Sequence, residues 1–304
     1  MKNSGKEPIS RIPVYIVLTL VCATWGGAFP TIKYLLDFMS PLQLVKLRYG
    51  IVAILFLGAL LFRNKKEILT VFRMSPGRLV IASLFGVIGY NLSLAMGETQ
   101  IPSGTAAIIV NISPIFTLIL SIILLHEKAG LKKAAGLLIS FSGLFILVQY
   151  GQVVRIDRTY YIYIFITLGA PISWAIYTVA SRSLSIRYDS IIVTGLSMII
   201  GALPLYIMLN GNDISIYKTL PLKAWLFVLY LSVLCTGAGF SGWVWALRRL
   251  PSSKVASFVY LIPVFSVIIA VVFLHEPVTA GMVLGAVLLL AGVYIVNRVK
   301  ARAS

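Results

Sequence analysis

Acid–base chemistry needs a carboxylate or an imidazole held where a proton must move, and the sequence offers two matched candidates, His126-Glu127 and His275-Glu276. Each pair closes one apolar run and stands just before the next, at a junction between elements and not in a cleft. A carboxylate at such a place caps the following helix and complements the positive end of its dipole, so Glu127 and Glu276 read as capping residues. The nine acidic residues are Glu7, Asp37, Glu67, Glu98, Glu127, Asp157, Asp189, Asp213 and Glu276, and all fall in loops or at the ends of apolar runs. None stands in the middle of a run, where an ionisable side chain marks a proton or ion relay. No catalytic residue, metal-ligand set or cofactor is expected, and the chain does not read as an enzyme. The two cysteines, Cys22 and Cys235, both lie within apolar runs and read as buried thiols.

The remaining chemistry is polar and aromatic. Trp25, Asn91, Ser93 and Asn111 in the first half, and Trp174, Tyr177, Trp243 and Tyr260 in the second, stand deep within apolar runs. Buried amides and indoles need partners, which a polar solute, water or a neighbouring helix can supply. These eight are candidates for lining a substrate cavity. Pro114 and Pro263 interrupt two other runs. A proline has no N–H and crowds the carbonyl four residues earlier, here Val110 and Val259, so both prolines are hinge candidates, with a static kink as the plainer reading. Lys33, Lys46 and Arg48 stand near the ends of the first two runs. They are expected to snorkel their charges toward head groups or to pair structurally, and Arg48 is assigned a structural role. The alternative is that Arg48 faces inward to bind a carboxylate or tie helices together. Gly237-x-Gly239-x-x-Gly242 matches a dinucleotide fingerprint only as a string, because no βαβ strand precedes it. Close helix packing accounts for it better, as it does for Gly281-x-x-x-Gly285, which could pack helices within or between protomers.

The elements that must hold these residues follow from composition. Of 304 residues, 59% are hydrophobic and 12% charged, with mean hydropathy +0.97; soluble domains carry about 25% charged residues. At about 20 apolar residues per span, ten membrane helices are expected near 14–36, 43–62, 78–96, 103–125, 131–150, 160–183, 191–209, 224–247, 255–274 and 280–297. The connections are short, so no extramembrane domain is expected. A net charge of +17 invites a nucleic-acid partner, but its distribution argues for a bilayer instead. With the N-terminus cytoplasmic, only Lys33, Lys46, Arg48, Arg155, Arg158, Lys218 and Lys223 face outward, leaving 19 of the 26 Lys and Arg inside. That is the positive-inside pattern, with both termini cytoplasmic.

Displacing the sequence on itself by 149 residues aligns two halves. Between 102–147 and 251–296 there are 13 identities in 46 ungapped positions, including Pro114/Pro263, Leu125-His126-Glu127/Leu274-His275-Glu276, Gly136/Gly285 and Gly143/Gly292. The same offset pairs Trp25 with Trp174. Five spans per half is an odd number, so the second copy enters the membrane inverted, an arrangement typical of secondary transporters.

Thr24-Trp25-Gly26, Arg48, Pro114 and Leu125-His126-Glu127 resemble one EamA module, and Trp174, Pro263, Leu274-His275-Glu276, Gly285 and Gly292 resemble a second. The chain thus resembles the EamA family of the drug/metabolite transporter superfamily over essentially its whole length. The resemblance implies a ten-helix all-α membrane fold and export of amino acids or related metabolites. The expected organisation is a cytoplasmic segment 1–12, a first repeat 13–150, a second repeat 159–298 and a cytoplasmic tail 299–304. The expected activity is alternating-access transport of a small polar metabolite across the inner membrane, with the bilayer and a small-molecule substrate as partners. The lack of a mid-span carboxylate favours a neutral or zwitterionic solute. Efflux of drugs or toxic cations is the alternative substrate class, and a membrane sensor or assembly factor is the alternative from outside transport. Oligomeric state stays open.

Overall fold

The computed structural model describes residues 12–127, 130–149, 158–274 and 280–298. His275 and Glu276 lie outside the described residues. The first half runs α1 (Ile12–Gly26), α2 (Ala28–Leu35), α3 (Pro41–Leu61), α4 (Lys65–Met74) and α5 (Pro76–Ser83). A π-helical stretch, Leu84–Gly89, leads into α6 (Tyr90–Glu98), followed by α7 (Ser103–Val110), α8 (Ser113–Leu125) and α9 (Leu131–Gln149). The second half opens with α10 (Arg158–Ser185), α11 (Ser190–Ile207), α12 (Gly211–Thr219) and α13 (Leu222–Leu229). A second π-helical stretch, Tyr230–Ala238, continues into α14 (Gly239–Leu247). Next come α15 (Ser252–Ser257), a single 3-10 turn at Phe258–Tyr260, α16 (Leu261–Leu274) and α17 (Ala280–Arg298).

Among the described residues, seven helical runs are long and apolar enough to cross a bilayer: Ile12–Leu35, Pro41–Leu61, Pro76–Glu98, Thr105–Leu125, Tyr161–Ser185, Ser190–Ile207 and Leu222–Leu247. The expected spans near 131–150, 255–274 and 280–297 are also helical but do not meet that test over the described residues. The surface is apolar, as lipid contact requires. Leu61, Phe62, Ile207 and Leu222 are all more than 70% exposed, whereas Ser83, Thr117, Ser140, Thr178 and Thr194 are fully buried. Large exposed apolar side chains beside buried hydroxyls depart from the surface of a soluble domain.

Local sequence explains the boundaries. Ser40 and Gln43 form a capping box around Pro41, the residue that starts α3. Asp189 accepts from the Ile191 and Ile192 N–H groups at the start of α11. The short helices α4 and α12 were not expected, since the connections were read as plain loops. Asn64 caps α4, and an Asn210/Asp213 capping box starts α12. Both helices fall between the second and third apolar runs of their half.

The two halves meet through equivalent elements. Helices α9 and α17 pack along their length, and a Cβ at Gly143 would lie 2.7 Å from the Gly285 carbonyl, while one at Gly292 would lie 2.4 Å from the Gly136 carbonyl. Positions 143 and 292 are repeat equivalents, as are 136 and 285, so the contact is reciprocal. Gly143 meets Gly285 and Gly136 meets Gly292, so one helix rises as the other falls, about a local twofold perpendicular to both. Ser140 Oγ donates to the carbonyl of its own equivalent, Leu289, at 3.1 Å. These glycines therefore serve a helix crossing within one chain. The crossings α1·α16 and α10·α8 repeat the same exchange between halves, and α3 packs on α11.

The structure adds detail to three expectations. Pro114 and Pro263 do not kink continuous helices. The first run is broken at Asn111–Ile112 and restarts with Pro114 in the opening turn of α8, and the second is broken by the 3-10 turn ahead of Pro263. A first turn needs no donor at proline, so the break supplies what a mid-helix proline would have had to force. Of its two readings, Lys46 takes structural pairing over snorkelling. Its ammonium is buried, 2.9 Å from Asp213 Oδ2 and 2.5 Å from the Met208 carbonyl. Glu127 caps a helix of the other half. Its carboxylate accepts from the Ser252 N–H at 2.7 Å, the Ser253 N–H at 3.4 Å and the Ser253 hydroxyl at 2.8 Å, at the start of α15 in the other half. His126 ends α8 at φ 51°, the left-handed conformation that closes a helix.

Candidate functional site

The aromatic side chains of the first span in each half meet at the centre. Trp25 and Trp174, repeat equivalents, stand edge to face with ring centroids 5.2 Å apart. Trp243 lies 5.4 Å from Trp25 and 5.3 Å from Trp174, and Phe240 lies 6.0 and 5.2 Å from the same rings. Tyr90 and Tyr177 close on Trp174 at 5.1 and 5.4 Å. Against this cluster lies a cavity of about 30 Å³. That is room for about two water molecules.

The cavity is walled by residues of both halves. Trp25, Ala28, Phe29 and Ile32 come from α1 and α2, Arg48 from α3, Tyr90 and Leu94 from α6, and Val110 and Ser113 from the break between α7 and α8. Trp174, Cys235, Phe240, Val259 and Ile262 complete it. Three pairs of lining positions are repeat equivalents: Trp25 and Trp174, Val110 and Val259, Ser113 and Ile262. Both helix breaks thus reach the wall, at Val110 and Val259, four residues before the two prolines.

Arg48 is the charged residue of this wall, and it is 6% exposed. Its Nε and Nη2 donate to Thr236 Oγ1 at 2.9 and 2.5 Å, and its Nη1 donates to Asn91 Oδ1 at 3.0 Å. The two π-helical stretches make those acceptors available. Thr236 lies within the second and donates to Leu231 O, five residues back. Asn91 follows the first, and its amide donates to the Gly86 and Val87 carbonyls and to the Tyr49 hydroxyl. A π-turn carries an extra residue, which frees carbonyls and re-aims side chains. Both polar atoms facing Arg48 arise at that irregularity.

Of the eight cavity candidates, Trp25 and Trp174 line the space. Trp25 Nε1 donates to the Cys235 carbonyl at 2.8 Å, whereas Trp174 Nε1 is buried with no partner. Tyr177 and Trp243 form the layer behind, with Trp243 Nε1 donating to Thr178 Oγ1 at 3.3 Å. Asn91 stands behind Arg48. Asn111 sits in the helix break with its amide on the Ala107 carbonyl at 2.7 Å and its Oδ1 unpartnered. Ser93 packs α6 against α10, where a Cβ on Gly169 would strike its hydroxyl. Tyr260 lies elsewhere, in the cluster of Leu118, Leu137, Leu144 and Leu289 around α9 and α17. Sequence reasoning missed Tyr90, Phe240 and the lining position of Cys235. For Phe240 a signal existed, since it is the repeat equivalent of Asn91. Cys22 and Cys235 are both buried free thiols.

Residues 12–149 and 161–298 each match the model of the EamA-like transporter family. An uncharacterized transporter of Archaeoglobus fulgidus is 33% identical over 289 residues, covering 93% of this chain and 98% of that protein. A probable terminal-alkyne amino-acid exporter of Streptantibioticus cattleyicolor is 29% identical, over 95% of this chain and 94% of that one. A probable amino-acid metabolite efflux pump of Escherichia coli is 26% identical, over 92% and 93%. A solved crystal structure superposes with a TM-score of 0.74 at 19% identity, covering 96% of this chain and 99% of the other, a likeness of fold.

Proposed function

The chain belongs to the EamA-like transporter family, and on that premise we propose that it exports small polar metabolites, amino acids or close relatives of them, by alternating access. The proposed frame is ten spans in two inverted five-helix repeats, with both termini cytoplasmic in an inner membrane. The 19-to-7 distribution of basic residues supports that orientation. The antiparallel crossing of α9 and α17 supports the inversion. The outward direction rests on the relatives named as exporters and efflux pumps.

One observation carries the reading. The cavity lies where repeat-equivalent residues of both halves meet, Trp25 with Trp174 and Val110 with Val259. A site on a pseudo-twofold is reached equally by either half, so exchanging the halves' conformations exposes it to one side and then the other. Efflux of toxic cations, the alternative substrate class, fits less well, because the wall's charged group is the Arg48 guanidinium. Proteoliposomes loaded with a broad panel of amino acids and related metabolites test the reading. Flux of at least one solute is expected, with loss of it in Trp174→Ala. A fully inert panel would sink the proposal.

A further inference from the structure

We propose that Arg48 anchors the anionic end of the substrate, and that the carried solute is a small apolar carboxylate whose amino group, where present, is not read. This rests on the central cavity being the transport site and adds the chemistry that the site selects.

Arg48 has five N–H donors in a planar fork. Three are committed to Thr236 and Asn91, both neutral. Its remaining ring contact is with Tyr49, also neutral, at 5.6 Å. No carboxylate pairs with it among the described residues, where Asp213 pairs with Lys46 and Asp189 with Arg63. A cation buried without a counter-charge is heavily penalised. Tying α3 to its neighbours needs hydrogen bonds only, which an uncharged side chain could make. The positive charge is instead held at the cavity wall with two donors in reserve, and a carboxylate accepts such a fork through both oxygens.

Independent atoms point to the same ligand. Ser113 Oγ and Trp174 Nε1 both belong to lining residues no more than 3% exposed, and neither has a hydrogen-bond partner among the described residues. Both can donate, as Arg48 does. No acidic side chain lines the cavity to receive an ammonium. The rest of the wall, including Trp25, Phe240 and Ile262, is apolar or aromatic. Donors gathered at an apolar wall match a carboxylate with a hydrocarbon tail.

Four probes of nearly one shape separate the contributions: leucine, its 2-oxo acid 4-methyl-2-oxopentanoate, leucinamide and isopentylamine. Binding to the purified protein is followed by quenching of tryptophan fluorescence, since Trp25 and Trp174 line the cavity. The two acids are expected to bind within about threefold of each other, and leucinamide and isopentylamine at least about tenfold more weakly, the discrimination that an unanswered buried donor set imposes. In Arg48→Gln the preference for acid over amide collapses toward unity; in Arg48→Lys, which keeps the charge but loses the fork, it is intermediate. The wild-type ratio decides the matter even if a variant fails to fold. Leucinamide binding as well as leucine, or the oxo acid tenfold worse than leucine, overturns the proposal. Flux of other solutes with no binding of either acid overturns the carboxylate subsite and leaves the carrier standing. No flux of any solute overturns both.

Discussion

Asp213 holds together a corner of the molecule in which each partner would be costly alone. Its carboxylate accepts from Lys46 at 2.9 Å and from the Asn210 N–H at 3.0 Å, with both charged side chains 4% exposed or less. Burial pushes the carboxyl toward a higher pKa, but the hydrogen bond from Lys46 and those from Asn210 and Gln43 outweigh it, and the net direction is downward. Because the folded group titrates below the unfolded one, its contribution is complete above the ordinary aspartate value of about 3.9 and disappears as the pH falls through the lower folded value. Removing one member of such a pair leaves a buried charge and costs about 3–5 kcal/mol. Asp213→Asn is therefore expected to lower the unfolding temperature of the detergent-solubilised protein at neutral pH. The gap to wild type should narrow as the pH is taken below about 3.9. Melting curves across that range check it, and a gap that stays constant with pH would show that charge is not the cause.

At the scale of elements, the helices that carry the site are the irregular ones. What could be read from the sequence was whatever survives as spacing. The 149-residue offset pairs Trp25 with Trp174 and Val110 with Val259, and those pairs line the cavity. The π-helical stretches left no such mark, because an extra residue in a uniformly apolar run alters no pattern of polar and apolar positions. Spacing puts Arg48 only near the end of its run, and its place on the cavity wall was not legible, since that depends on Thr236 and Asn91 from two other helices. Tyr260 was grouped with the cavity as the equivalent of Asn111, yet the 3-10 turn at Phe258–Tyr260 sets it among the leucines of α9 and α17. The repeated glycines were legible as packing residues, though not the helices they join. A Cβ at Gly143 would lie 2.5 Å from the Leu289 nitrogen and 2.7 Å from the Gly285 carbonyl, both main-chain atoms that cannot rotate away. Gly143→Val and Gly292→Val are each expected to cost at least about 1–3 kcal/mol by overpacking. Gly58→Ala, in open space, should cost nothing. Unfolding temperatures of the three variants measure the difference, and equal losses at Gly58 and Gly143 would deny the crossing its role.

At the scale of the whole molecule, the inverted repeat gives each end of the cavity an equivalent tie. Lys33 donates to the Glu98 carbonyl at 2.5 Å, joining α2 to the end of α6. Its repeat equivalent, Arg182, donates to the carbonyl of Leu247, the equivalent of Glu98, at the end of α14. One cation thus holds the last carbonyl of the third run in each half, where the negative end of a helix dipole favours it, and in the proposed orientation the two ties lie on opposite sides of the membrane. Glu127 reinforces the inner one by gripping the start of α15. With both ties made, the cavity measures about 30 Å³, and under the proposed alternating access the two ties would release in turn. Weakening one tie shifts the population toward the state open on that side. Cys235 on the cavity wall reports the shift once Cys22 is replaced by Ser. In whole cells treated with a membrane-impermeant maleimide, Lys33→Ala should raise the labelling of Cys235 above that of the Cys22→Ser parent, and Arg182→Ala should lower it. In inside-out vesicles the order should reverse. Labelling that rises for both variants from the same side would mean the two ties do not guard opposite faces, and the alternating exchange of halves would have to be abandoned.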